Sequence, residues 1–201
     1  MYKKARRRIH KRALLQRSQI AMLILASQSP RRRELMKLIT EDFICKTADV
    51  DETLPDGISP AEAVLELSRI KALPFKNEGD TVIGADTVVA IDGKILGKPA
   101  NADAARDMLR LLSGREHSVF TGVTVIEGEK IQSFYSETKV RFYPLSESDI
   151  ERYIATGEPF DKAGAYGIQG YGALLVEEIH GDYFNVVGLP VSKLNNLLIN
   201  K

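Results

Sequence analysis

The chain has 201 residues, 44% of them hydrophobic and 27% charged, enough for one domain or two small lobes around a sizeable core. A single cysteine, Cys45, excludes an intrachain disulfide and a thiolate zinc site and suits a reducing compartment, and no apolar run approaches the roughly 20 residues that span a bilayer. The net charge of +1 conceals a division: residues 1–21 hold eight basic residues and no acid, leaving the remainder with 20 basic against 27 acidic residues, a poor surface for nucleic-acid backbone.

The basic segment at 1–21 lacks an apolar h-region and so is not a secretory signal. Its Arg-rich, acid-poor character is superficially that of a mitochondrial transit peptide, and it would also suit nucleic acid or anionic lipid. The plainer reading is a non-essential extension, because Met22 directly precedes the first core strand and a single domain then fills 22–201. MLILAS reads as a buried strand, and Ser29-Pro30 supplies an N-cap and an N1 proline for a helix running to about Ile39. FICKTA reads as a second strand, with Cys45 in the core rather than acting as a nucleophile. Ser59-Pro60-Ala61-Glu62 is a capping box with proline at N1, opening a helix. TVIGAD predicts a buried strand, and TVVAI-DG-KILG a hairpin around an Asp-Gly turn.

Asn101 caps the next helix and Gly114 ends it. Residues 116–142 predict two long strands joined around Glu127-Gly128-Glu129, and Ser146 with Asp149 opens a helix that Gly157 closes. ALLVEEI and YFNVV predict a further hairpin around Gly181-Asp182, and Pro190 starts the final helix. Hairpins and crossover helices together predict an α/β fold with a mixed sheet and flanking helices.

Four segments carry more polar and glycine content than such a scaffold requires. Ser27-Gln28-Ser29-Pro30-Arg31-Arg32 joins a strand to a helix whose free N–H groups attract anions. Arg31 and Arg32 oppose the helix dipole there, which a bound polyphosphate would offset; solvated arginines on a turn are the plainer alternative. Asp86, in Gly84-Ala85-Asp86-Thr87, suits a divalent metal or the proton of a water, or is simply a turn residue. Lys71 and Lys98 are basic residues on a helix and before Pro99, and isolated lysines are usually solvated. Asp161–Gly170 has three glycines that allow close backbone approach to a ligand, without the ending of a Walker A loop or the spacing of a dinucleotide fingerprint. His10, His117 and His180 are scattered, against a zinc hydrolase, and there is no Gly-x-Ser-x-Gly elbow.

Eight stretches together resemble the Maf family of nucleotide pyrophosphatases: LILASQSPRR, VDET, VIGADTVV, ILGKP, LSGR, FTGV, DKAGAYGIQG and VVGLP, in family order between residues 23 and 190. The resemblance implies an elongated mixed-sheet α/β fold of inosine triphosphatase-like type, with two lobes around a central cleft. It implies cytoplasmic, metal-dependent hydrolysis of a nucleoside triphosphate to the monophosphate and pyrophosphate, a house-cleaning of nucleotide pools, and it leaves room for a homodimer. By motif, Asp86 is the expected proton acceptor, with Lys71 and Lys98 beside it. Ser27, Arg31, Arg32, Thr87 and Gln169 are expected at the substrate, and Glu52 and Asp86 at Mg²⁺ or Mn²⁺; whether Asp86 is base, ligand or both stays open. The positions that separate subgroups read Arg31, Thr87 and Gln169, the combination associated with dTTP and UTP. The alternative is a nucleotide-binding regulator of division or septum formation without turnover.

Overall fold

The computed structural model describes residues 22–199, so the basic segment at 1–21 lies outside the described residues. Among them one seven-stranded sheet runs in the order β2 (Ile44–Lys46), β1 (Leu23–Ala26), β3 (Thr81–Ile91), β5 (Glu116–Glu127), β6 (Lys130–Phe142) and β7 (Val176–His180), with β4 (Lys94–Leu96) also on β3. β1 is parallel to β2 and β3, and every other pairing is antiparallel, so the sheet is mixed as expected. β3, β5 and β6 have 11, 12 and 13 residues, about twice the usual strand length, which makes the sheet long.

The helices begin where their caps are written. Ser29 accepts from the Arg32 N–H to open α1 (Pro30–Met36), and a complete Ser59/Glu62 capping box opens α2 (Pro60–Ala72). Asn101 caps α3 (Ala102–Leu112), and Ser146 with Asp149 forms a second capping box for α4 (Glu147–Ile154). α1 stops short of Ile39 because the chain tightens: Leu38 and Ile39 bond back to the carbonyls of Leu35 and Met36, three residues away.

TVIGAD and TVVAI, read as separate strands, are one. β5 pairs along β3 from Val82 to Ala90, while the opposite edge of β3 is shared by β1 up to Gly84 and by β4 from Val89. Asp86 therefore lies within a continuous strand, where one neighbour has left and the next has not yet joined. Cys45 is on a strand but not in the core: β2 is a three-residue edge strand and its thiol is exposed. The expected hairpin of ALLVEEI with YFNVV does not form. Residues 170–175 wind into 3-10 turns, β7 begins at Val176 and pairs with β6, and Tyr183–Val187 is a short helix, α5. The Asp182 carboxylate accepts from the Phe184 N–H and caps that helix, and Gly188 ends it at φ 125°, a local arrangement that overrides the β preference of its aromatic and β-branched residues. α6 (Val191–Ile199) follows Pro190.

The core divides along β3. On one face, Ile83 and Ala85 pack with Leu25, Val123 and Leu189, whereas Val89 and Ile91 pack with Leu109, Phe142 and Ile150 against α3 and α4. Thr87, between them on the same face, is polar. On the other face Ile24, Val82 and Ile126 pack beneath Ala72 of α2. No helix of the described residues is long and apolar enough to cross a membrane.

Candidate functional site

Successive strand residues face opposite sides of a sheet, so Asp86 and Thr87 belong to different surroundings although they are neighbours. Asp86 faces α2. That helix comes unusually close because β3 and β5 offer it two glycines: a Cβ on Gly84 would lie 2.1 Å from the Ser68 carbonyl oxygen, and one on Gly122, the cross-strand partner of Asp86, 2.1 Å from that of Val64. The close seat brings Lys71, one turn beyond Ser68, to within 2.5 Å of Asp86 Oδ1 and 3.2 Å of Glu52 Oε2. Both carboxylates thus converge on one ammonium group. Asp86 and Lys71 are mostly covered, with side chains 14% and 21% exposed, whereas Glu52 reaches in from a loop and is half exposed.

Thr87 faces the other way, toward the turn between β1 and α1. Arg32 Nη2 donates to Thr87 Oγ1 at 3.0 Å, and Arg32 Nε donates to the Gly188 carbonyl at 2.8 Å. Ser27, at the end of β1, receives Nη1 more loosely at 3.5 Å. No carboxylate of the described residues forms an ion pair with Arg32. Burial pushes its guanidinium below the ordinary value; Asp86 opposes that, Arg31 adds to it and Glu52 opposes it again. Arg31 instead reaches Asp161 at 3.1 Å, an ion pair joining α1 to the glycine-rich segment. Asp161 also holds Lys162 at 2.6 Å; burial raises its carboxyl pKa, but the hydrogen bonds from Lys162 and Arg31 outweigh this and leave it below the usual range.

The glycine-rich segment is wound into a fixed shape. Gly164, at φ 66°, donates its N–H to the Gly97 carbonyl at 3.0 Å, which anchors the stretch carrying Lys98. Tyr153 accepts from the Gly167 N–H at 3.2 Å, and Tyr166 meets His117 Nε2 at 2.7 Å inside the core. Gln169 emerges exposed at the end of this segment, and neither its amide nor the Lys98 ammonium is engaged by any described residue.

All nine residues singled out in the sequence line one cleft of about 1010 Å³: Ser27, Arg31 and Arg32 from the β1–α1 turn, Glu52, Lys71, Asp86 and Thr87 from the middle, Lys98 and Gln169 from the far wall. The segments around them are spread over most of the chain, and the cleft opens where β1 and β4 leave the edge of β3 bare. Three partners of these residues were not singled out. Asp161 pairs with Arg31, the Gly188 carbonyl holds Arg32, and Thr121 stands opposite Thr87. Each lies in a quoted motif, but only the folded chain shows which side chain it meets.

Among the described residues no three His, Cys, Asp or Glu groups cluster as a self-sufficient metal site. The Glu52–Asp86 pair nevertheless fits Mg²⁺ or Mn²⁺: both are hard oxygen donors already converging on a cation, and Mg²⁺ commonly takes one or two carboxylates together with substrate phosphates and waters.

The family model for Maf-like proteins matches residues 22–201. A dTTP/UTP pyrophosphatase of Clostridioides difficile (strain 630) is 52% identical over 181 residues, covering 88% of this chain and 93% of that protein. A dTTP/UTP pyrophosphatase of Bacillus pumilus (strain SAFR-032) is 52% identical over 178 residues, covering 88% and 94%. One of Bacillus cereus (strain ATCC 14579) is 48% identical over 174 residues, covering 86% and 91%. Among solved structures, the Staphylococcus aureus Ham1 protein aligns with a TM-score of 0.44 at 17% identity over 60% of this chain and 71% of that one, too loosely to support more.

Proposed function

The chain belongs to the Maf family, and from that membership we propose that its cleft hydrolyses nucleoside triphosphates between the α- and β-phosphates, with dTTP and UTP favoured. The observation that carries this reading is the convergence in one cleft of a Lys-bridged carboxylate pair with two cations, Arg32 and Lys98, that have no carboxylate partner among the described residues. The relatives bear enzyme names, which weighs against a regulator without turnover.

A triphosphate carries close to four negative charges, which repel an attacking water. Arg32 and Lys98 supply positive charge to its oxygens, and Arg31 joins them by exchanging Asp161 for phosphate. Lys71 bonds Asp86 Oδ1 and holds both carboxylates facing the cleft. Oδ2 of Asp86 is outside that bond and is the group left to take the proton of the water that attacks the α-phosphorus. Glu52 and Asp86 would hold a divalent cation, which would supply charge neutralisation at the phosphate oxygens and make the attacking water more acidic. Pyrophosphate then leaves into the cationic wall of the cleft.

Gln169 gives the base preference a physical form. Its amide accepts from the N3–H of uracil or thymine and donates to a ring carbonyl, whereas cytosine has no proton on N3. A cytoplasmic setting suits the lone exposed thiol of Cys45. Pyrophosphate release measured over a nucleotide panel with Mg²⁺ or Mn²⁺ tests the whole reading. UTP and dTTP are expected to turn over and CTP poorly. Release from no triphosphate with either metal would sink the hydrolase; equal rates with CTP and UTP would sink only the account of the base pocket.

A further inference from the structure

Besides the loose contact with Ser27, Arg32 is gripped at two points, and both lead back to α5. The first is direct: Nε donates to the Gly188 carbonyl at the end of that helix. The second runs through the sheet. Arg32 Nη2 donates to Thr87 Oγ1, and Thr87 Oγ1 lies 2.8 Å from Thr121 Oγ1 across the β3–β5 pair. Thr121 donates its one hydroxyl proton to the Asn185 carbonyl of α5 at 2.9 Å. That proton being spent, the contact between the two threonines must run from Thr87 as donor to Thr121 as acceptor. The direction matters: Thr87 is left with lone pairs only toward the cleft and can accept from Arg32 without competing with it as a donor. The relay is sheltered, since Thr121 and Asn185 are fully buried, and the Asn185 amide is itself pinned by donating to the Val119 carbonyl at 3.0 Å.

We infer that Thr121, which faces no open part of the cleft, is a positioning residue for nucleotide binding: by accepting from Thr87 and donating to Asn185 it orients the Thr87 hydroxyl that fixes the Arg32 guanidinium for the triphosphate. This rests on the reading of Arg32 as a phosphate contact given above. A flexible arginine with no carboxylate partner needs such preorganisation, because ordering it at the moment of binding subtracts from affinity.

The test is a double-mutant cycle on binding of α,β-methylene-UTP, whose α–β link cannot be hydrolysed, with pyrophosphate release from UTP measured in parallel. Thr121→Val weakens binding of the analogue about tenfold, as expected for loss of a hydrogen bond that serves a charged group, and Thr121→Ser returns it to within about twofold of native. On an Arg32→Ala background, Thr121→Val has no further effect on binding, even though it still lowers the melting temperature. An equal loss of binding in both backgrounds, or no loss at all, overturns the inference. If Thr121→Val does not fold, Thr87→Val breaks the same link from its half-buried end, and the same cycle applies. Native protein that shows the coupling but releases no pyrophosphate overturns the hydrolase reading and leaves the positioning role standing. Native protein that hydrolyses UTP without the coupling overturns the positioning role alone.

Discussion

Asp86 and Gln169 illustrate how differently two residues of one cleft are held. Asp86 is largely covered and bound to Lys71, so Asp86→Asn, nearly isosteric but uncharged, is expected to leave the fold intact and to remove both the proposed proton acceptor and half of the carboxylate pair. Turnover of UTP is expected to fall to background at saturating Mg²⁺ with little change in melting temperature; a near-native rate would show that the base and ligand roles lie elsewhere. Gln169 is exposed and engaged by no described residue, so its substitutions are expected to spare stability and, on the proposed reading, to act on recognition. Gln169→Glu replaces an amide donor by a carboxylate that only accepts. It is expected to raise KM for UTP and dTTP with the melting temperature unchanged, and an unchanged KM would remove Gln169 from the base pocket.

At the scale of elements, the seat of α2 decides whether Lys71 reaches Asp86. Gly84 and Gly122 are needed there not for unusual backbone angles but because any side chain would collide with helix carbonyls. Gly84→Ala forces α2 outward, an overpacking that costs about 1–3 kcal/mol or more. Because the same shift separates Lys71 from Asp86, turnover is expected to fall further than the lost stability explains. Thermal melting alongside pyrophosphate release checks both, and a variant with native values of each would show that α2 does not depend on this seat. α5 teaches the complementary lesson. YFNVV has the composition of a strand, yet the Asp182 cap and the tie of Asn185 to the sheet make it a helix, and that helix presents the Gly188 carbonyl to Arg32.

For the whole molecule, the His117–Tyr166 contact fastens the glycine-rich segment to the sheet, and burial pushes the His117 imidazole down to about 4 against smaller opposing pulls from the Arg115 backbone and Glu116. The native state therefore holds this histidine neutral, while the unfolded chain protonates it near 6.5. Its contribution to stability is complete above about pH 6.5 and is lost as the pH falls toward 4, by roughly 3 kcal/mol over that window. Urea unfolding at several pH values should show the slope in native protein and a shallower one in His117→Gln, which cannot titrate; identical slopes would mean that His117 is not held neutral. The nine residues singled out in the sequence all follow the basic segment at 1–21 in the chain. A chain beginning at Met22 is expected to match the full chain in turnover and melting temperature, and a large loss of either would show that the basic segment docks on the body.

The sequence by itself determined the starts of α1 to α4, the mixed α/β class, the long β5–β6 hairpin and nine of the residues that line the cleft, because caps, turns and family motifs are local signals carried by a few adjacent residues. Only the tertiary structure decided that β3 is continuous through Asp86, that Cys45 is exposed, and that residues 183–187 form a helix. It alone decided, too, that Asp86 and Thr87 serve opposite faces, one toward Lys71 and the other toward Arg32. These outcomes depend on which strand lies alongside, how closely a helix can approach and which carbonyl is left without a donor. Such facts belong to pairs of residues far apart in the chain, and no local pattern encodes them.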